Sequence, residues 1–282
     1  MRYVNASDMM QMAKKGGYAI PAINANGATY DIARAILEGA NDLRSPIIIQ
    51  AYEPNLEYRG YDYFVKLVKH LAEDIDVPVC ISLDHGASIN SIMKAVKAGF
   101  THVMFDYAKH SIEENIALSN QVIDLVRPLG ISVEGEIGDI LTSKDNHLRA
   151  AVTPVDDITT YYSRTNVDLL AVGVGTTHGI FEKQDTIDFE HIESIGRICD
   201  VPLVLHGTCG VSMEDISKSV KCGMKKINFG EAIRMNYIRY FNEFSSGLNH
   251  EGHAWKIMQA AKDKLKVDIK EIIMAVGSDG KV

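Results

Sequence analysis

Eight short apolar runs, each followed by a longer stretch with helical spacing, dominate the pattern of this 282-residue sequence. The runs are rich in Val and Ile and are bounded by Gly, Pro or Asp, as the buried strands of parallel sheets usually are. Between them, apolar residues recur every three or four positions, which favours amphipathic helices. A strand followed by a helix, eight times, predicts an α/β fold of the (β/α)8, or TIM barrel, type. The runs cover residues 18–23, 46–51, 78–83, 102–105, 131–137, 168–174, 202–205 and 225–229.

The series of runs continues without a low-complexity segment or a Pro/Ser-rich linker. We therefore expect residues 1–282 to form a single barrel domain with a helical extension from about Asn249. A net charge of -8 gives no support for nucleic acid or an anionic membrane as a partner. The four cysteines form no CxxC pair, and the N-terminus does not read as a charged segment followed by a long apolar one. These features predict a soluble, cytoplasmic protein.

Three histidines follow three of the predicted strands: His85, His178 and His206. In a (β/α)8 barrel the active site lies at the carboxyl ends of the strands, so these imidazoles would converge on one face. Catalytic zinc commonly uses three protein ligands and leaves a fourth position open, and neutral imidazole is a favoured ligand. A single histidine at a strand end is more often structural, so the metal hypothesis depends on their common position. Other polar residues at predicted strand ends are Asn24, Gln50, Asp84, Asp106, Glu134, Glu136 and Asn228.

Short motifs recur in order along nearly the whole chain. They are PAIN at 21–24, LDHG at 83–86, GFTHVMFD at 99–106, EENI at 113–116, VEGEIG at 133–138 and KIN at 226–228, together with the two later histidine motifs. In this order and spacing the chain resembles the class II, metal-dependent ketose-bisphosphate aldolases, the family of fructose- and tagatose-bisphosphate aldolases. The resemblance implies one zinc ion on His85, His178 and His206, with Asp84 as the catalytic acid/base beside it. It also implies a homodimer or homotetramer.

The chemistry of aldol cleavage agrees with these residue types. Breaking a carbon–carbon bond beside a ketone leaves an enediolate, which a divalent cation stabilises as a Lewis acid. A base must also remove the proton of the hydroxyl on the far carbon, and Asp84 stands next to a ligand in sequence. Consecutive strand residues point to opposite faces, so we expect the third strand to end before Asp84 and His85.

Two further carboxylates, Asp106 and Glu136, match family carboxylates near the metal. They are candidates to orient imidazoles or to hold an alternative, inward metal position. The other interpretation is that Asp106 and Glu136 are structural carboxylates at the mouth of the barrel.

The chain departs from the family pattern at three positions where relatives bind phosphate. The family usually reads His-Gly-Gly-Ser-Gly after the third histidine, whereas this chain reads HGTCG at 206–210, so the thiol of Cys209 replaces a hydroxyl. Glu231 stands in place of a threonine and Tyr52 in place of a frequent serine. A carboxylate beside phosphate is unfavourable unless a cation or a proton intervenes. Alternatively, backbone N–H groups still hold a phosphate. The candidate substrate-binding residues are Asn24, Gly179, Gly207, Cys209, Asn228 and Glu231.

The segment after the fifth strand also differs from the family. Relatives carry a glutamate there that handles the proton on the carbon next to the ketone, and Lys144 takes its place. Glu134 and Asp145 are the candidates to substitute for it. The sequence thus predicts a zinc-dependent class II aldolase acting on a ketose phosphate or a less phosphorylated sugar, with a monovalent cation as an optional second cofactor. The alternatives are an ordinary fructose- or tagatose-1,6-bisphosphate aldolase, a metal-dependent hydrolase, and a non-catalytic metal-binding barrel.

Overall fold

Eight parallel strands close into a barrel in the computed structural model, which describes residues 3–27, 29–138, 152–179, 187–246 and 252–282. Each strand pairs with the next one along the chain, and the last pairs with the first. This topology confirms the predicted (β/α)8 barrel, and every strand overlaps one of the eight apolar runs. The strands are β1 (Ile20–Asn24), β2 (Ile47–Tyr52), β3 (Val79–Gly86), β4 (His102–Phe105), β5 (Ser132–Ile137), β6 (Leu169–Val172), β7 (Leu203–Leu205) and β8 (Met224–Phe229).

Helices alternate with the strands, and their apolar faces pack against them. Several helices begin at a serine whose hydroxyl accepts a backbone N–H of the first turn, as at Ser88, Ser111 and Ser212. The helices are α1 (Ala6–Gly16), α2 (Tyr30–Asp42), α3 (Glu53–Arg59), α4 (Tyr61–Leu71), α5 (Ile89–Ala98), α6 (Ile112–Val126), α7 (Val155–Thr165), α8 (Phe189–Ile198), α9 (Met213–Cys222), α10 (Glu231–Ser245) and α11 (Ala254–Ala275).

The C-terminal helix α11 packs against α2, in agreement with the predicted helical extension. Gly39 permits this close approach, because a Cβ there would lie 3.0 Å from Cγ2 of Ile269. The largely buried Lys262 on α11 donates to Oε2 of Glu38 on α2 at 2.7 Å, and Arg34 donates to the other oxygen. Among the described residues, no helix is both long and apolar enough to span a membrane.

The third strand does not end where the sequence suggested. It continues to Gly86, but its register with β4 shifts between Leu83 and Gly86, and His85 adopts a left-handed backbone with a φ of 49°. An irregularity of this kind interrupts the alternation of a strand and re-aims a side chain. The prediction of an early strand end is therefore wrong, and the bulge instead lets Asp84 and His85 reach the same region.

Candidate metal centre at the barrel mouth

Three imidazoles meet at the carboxyl ends of β3, β6 and β7. The ring centroid of His85 lies 5.2 Å from that of His178 and 5.0 Å from that of His206. The rings of His178 and His206 are 5.7 Å apart. One nitrogen from each ring can be chosen so that the three atoms lie within 4.8 Å of one another. The structure thus brings together the three histidines that the sequence singled out, in a geometry that suits three ligands of one ion.

Two of the three imidazoles are anchored through one ring nitrogen. Nδ1 of His85 lies 2.9 Å from Oδ2 of Asp106, and Nε2 of His206 lies 2.9 Å from Oε1 of Glu134. A carboxylate behind a ligand histidine fixes the ring and its tautomer, leaving the other nitrogen for the metal. In the described part of the chain, Nε2 of the third imidazole, His178, is buried without a hydrogen-bond partner. Buried nitrogens are normally satisfied, so this atom fits a metal ligand.

The electrostatics of the cluster also favour a cation. Burial alone would lower the pKa of His85, but the nearby carboxylates of Asp84, Asp106 and Glu136 outweigh it and raise that pKa to about 10. Burial, together with the neighbouring imidazole of His85, lowers the pKa of His178. The three carboxylates around His85 therefore favour a positive charge at that part of the cluster.

Glu136 is a buried carboxylate beside His85. Its Oε2 is 3.9 Å from Nδ1 of His85 and is buried without a hydrogen-bond partner in the described residues. Burial, reinforced by Asp106, raises the pKa of Glu136 well above its usual range. His85, Asp106 and Glu136 form a second set whose ligand atoms lie within 4.8 Å of one another. The geometry agrees with Asp106 as an orienting carboxylate, and an alternative inward metal position stays a prediction.

Asp84 lies beside the histidines, where two amides hold its carboxylate. Nδ2 of Asn24 donates to Oδ2 at 3.0 Å, and Nδ2 of Asn228 lies 3.4 Å from Oδ1. Oδ1 is also 4.0 Å from Nε2 of His85. Asn24 and Asn228, which the sequence suggested as substrate-binding residues, thus contact the predicted acid/base.

A buried ionic network beneath the histidines was missed from the sequence. Nζ of Lys226 donates to Oε2 of Glu134 at 2.7 Å, and Nε2 of His102 lies 3.3 Å from the same oxygen. Burial alone would raise the pKa of Glu134, yet Lys226 and the two imidazoles hold it well below its usual range. Glu134 is 0% exposed. This geometry favours an orienting role for Glu134 over the loop acid/base role that the sequence suggested. Lys226 and Asn228 are two residues apart on one strand, so the period-two alternation was the signal for an inward lysine.

The loops after β6 and β7 touch each other closely. Gly207 has a φ of 67°, and a Cβ there would lie 2.7 Å from the carbonyl group of Thr177. Oγ1 of Thr176 donates to the carbonyl oxygen of His206 at 2.7 Å. Gly179 also has a positive φ. These contacts fix the approach of His178 to His206.

The remaining predicted residues lie around the same mouth or outside the described part. Glu231 is the first residue of α10, and its Oε1 is 3.9 Å from Nδ1 of His178. The ring of Tyr52 is 6.0 Å from that of His85. Cys209 is buried. Lys144 and Asp145 lie outside the described residues.

Known proteins resemble this chain over its whole length. The family model of the class-II fructose-bisphosphate aldolases matches residues 4–281. A sulfofructosephosphate aldolase from Alkalicoccus urumqiensis is 32% identical over 285 residues, covering 100% of this chain and 99% of that protein. A 6-phospho-5-dehydro-2-deoxy-D-gluconate aldolase from Bacillus subtilis is also 32% identical, covering 100% and 98%.

Solved structures show the same relationship. The YdjI aldolase from Escherichia coli K12 superposes with a TM-score of 0.86 at 27% identity, covering 100% of this chain and 99% of that one. The family match, the relatives and the fold all agree with the resemblance seen in the sequence motifs. The chain therefore belongs to the class II fructose-bisphosphate aldolase family, and the enzyme is a lyase.

Proposed function

We propose that this protein is a zinc-dependent class II aldolase that reversibly cleaves a ketose or ketose phosphate, with His85, His178 and His206 as the metal ligands. The observation that supports this proposal is the cluster of three imidazoles with Asp84 beside it at the mouth of the barrel. When bound, zinc supplies a Lewis acid that stabilises the negative charge of the cleavage transition state. Each protein residue can then be given one task.

Asp84 acts as the acid/base. In the cleavage direction its carboxylate accepts the proton from the hydroxyl on the far carbon, and the carbon–carbon bond breaks as the aldehyde forms. In the condensation direction the same proton returns to the new alkoxide. The amides of Asn24 and Asn228 contact the carboxylate and orient it at the cluster before the substrate binds.

Three other carboxylates act through the histidines or the donor. Asp106 holds the ring of His85 through Nδ1, and Glu134 holds the ring of His206 through Nε2. We retain Asp145 as the candidate that exchanges the proton next to the ketone, since Glu134 is engaged in the buried network.

Membership of the family does not identify the substrate, because relatives of similar identity are named for different sugar phosphates. An ordinary fructose- or tagatose-1,6-bisphosphate aldolase is the second candidate, and a relative named fructose-bisphosphate aldolase, from Geobacillus stearothermophilus, 32% identical, favours it. A hydrolase or a non-catalytic barrel has no such support. We also retain as proposals a homodimer or homotetramer, a monovalent cation, a cytoplasmic location and a single domain over residues 1–282.

Proton exchange at the donor tests the proposal. Zinc-loaded protein is incubated in D2O with dihydroxyacetone and, separately, with dihydroxyacetone phosphate, and deuterium in the recovered donor is measured by NMR. We expect exchange with at least one donor and its loss after chelation. Zinc-loaded, folded protein that exchanges neither donor would contradict an aldolase. Ester or amide hydrolysis under the same conditions would support the hydrolase.

A further inference from the structure

Glu231 brings a carboxylate to the edge of the histidine cluster. It is the first residue of α10, two positions after β8 ends, and its Oε1 lies 3.9 Å from Nδ1 of His178. Its side chain is 29% exposed, so the carboxylate faces both the cluster and the solvent. When a substrate binds to the cluster, the carboxylate of Glu231 can therefore reach the substrate atoms that lie next to His178.

The same carboxylate stands at the N-terminus of a helix. The N–H groups of a first helical turn favour an anion, and phosphate groups are common there. The N-cap of α10 is Gly230, which offers no side chain, and the acidic residue of the first turn is Glu231 itself. The chain thus supplies its own anion at this helix end, and an incoming phosphate would have to share the position with it.

Among the described residues, no lysine or arginine forms an ion pair with this carboxylate. In the described residues, the ion pairs formed by Asp84, Asp106 and Glu231 are with histidines of the cluster only. The inward-facing Lys226 is buried and bonded to Glu134. Burial raises the pKa of Tyr52, and four nearby carboxylates raise it further: Asp84, Asp106, Glu53 and Glu231. Negative charges therefore surround this side chain.

We propose that Glu231 determines specificity by selecting an uncharged hydroxyl group, and rejecting a phosphate, at the end of the donor that lies next to His178. A hydroxyl donates a hydrogen bond to the carboxylate, whereas a phosphate is repelled by it. The preferred donor is then an unphosphorylated ketone such as dihydroxyacetone. This inference rests on the proposed aldolase function.

Donor preference in a charge-neutral variant tests the inference. The ratio of kcat/KM for deuterium exchange with dihydroxyacetone to that with dihydroxyacetone phosphate is measured for zinc-loaded wild type, Glu231→Gln and Glu271→Gln. Glu271 is an exposed carboxylate on α11 and serves as the control. We expect wild type to prefer dihydroxyacetone, Glu231→Gln to shift the ratio about tenfold or more toward the phosphate, and the control to keep the wild-type ratio.

Two results would overturn the inference while leaving the aldolase standing: a wild type that prefers dihydroxyacetone phosphate, or a ratio that Glu231→Gln leaves unchanged. Exchange with neither donor would overturn both. A second measurement needs no variant and no turnover. Calorimetric titration of zinc-loaded wild type with glycolate and with phosphoglycolate should show tighter binding of glycolate, and tighter binding of phosphoglycolate would contradict the role given to Glu231.

Discussion

Oε1 of Glu134 lies 2.9 Å from Nε2 of His206, directly beneath the histidine cluster. Because the carboxylate occupies Nε2, the nitrogen left for a metal is Nδ1, which lies 3.3 Å from Nδ2 of Asn228. The other oxygen of Glu134 accepts from the buried Lys226 at 2.7 Å. The orientation of one proposed ligand thus depends on an ion pair that is completely enclosed by the barrel.

Breaking this ion pair should harm both stability and metal binding. We expect Lys226→Met to lower the free energy of unfolding by about 3–5 kcal/mol, because it leaves a buried charge unpaired. Zinc affinity should fall by about 10–100-fold, because Glu134, which anchors the ring of His206, loses the lysine that positions it. Urea unfolding of the metal-free protein and competition with a zinc chelator measure the two effects. Lys225→Met, at the half-buried neighbouring position, is the control. Equal effects from both variants would argue against the anchoring role.

The ligand and the acid/base should separate by mutation. We expect His206→Ala to abolish zinc retention, whereas Asp84→Ala keeps zinc and loses cleavage by about 100-fold or more, since general acid/base groups contribute on this scale. Metal analysis of the purified variants, with circular dichroism to confirm folding, makes the comparison. Equal metal loss in the two variants would count against the assigned roles.

Two glycines should be needed for the cluster to assemble. A Cβ at Gly86 would lie 2.8 Å from the carbonyl oxygen of Met104, and one at Gly207 would meet the backbone of Thr177. We expect Gly86→Ala and Gly207→Ala each to cost about 1–3 kcal/mol of stability through overpacking and to weaken zinc binding. Gly196→Ala on α8, where a Cβ meets nothing within 4 Å, should instead stabilise by about 0.4–1 kcal/mol. Thermal unfolding with and without zinc checks all three, and a harmless Gly86→Ala would show that the bulge can relax.

The packing of α11 on α2 should depend on pH. Burial alone would raise the pKa of Glu38, but Lys262 and Arg34 hold it below its usual value. A carboxyl whose folded-state pKa is lowered stabilises the fold above its unfolded pKa, and this contribution is lost as the pH falls through the folded value. We expect Glu38→Gln to cost about 1–3 kcal/mol near pH 7 and progressively less below about pH 4. Urea unfolding at several pH values, with Glu271→Gln as the control, measures this, and a pH-independent difference would contradict it.

The barrel and the convergence of the histidines could be predicted because both follow from local patterns. Runs rich in Val and Ile between turn residues mark the strands, and the fold then places every strand end on one face. His85, His178 and His206 needed only their position after a strand to be brought together. Predicting the fold required only the alternation of strand and helix along the sequence, without any long-range contact.

The bulge at His85 and the buried network could not be found in the same way. Nothing in the residue type of His85 predicts a left-handed backbone, because the shift arises from the pairing of β3 with β4. Lys226 and Glu134 are distant in sequence, and their partnership is visible only when β5 and β8 face each other across the barrel. The alternation of β8 did indicate that Lys226 points inward, but an inward lysine does not identify its partner.

Formation of a carbon–carbon bond tests the central claim most directly. Zinc-loaded protein is incubated with dihydroxyacetone or its phosphate and a panel of aldehydes, and adducts are identified by mass spectrometry, with chelated protein and Asp84→Asn as controls. The account predicts an adduct whose mass equals donor plus aldehyde, formed by the zinc-loaded wild type and lost in both controls. Adducts that form equally well in chelated protein, or no adduct from folded zinc-loaded protein with any donor and aldehyde, would contradict it.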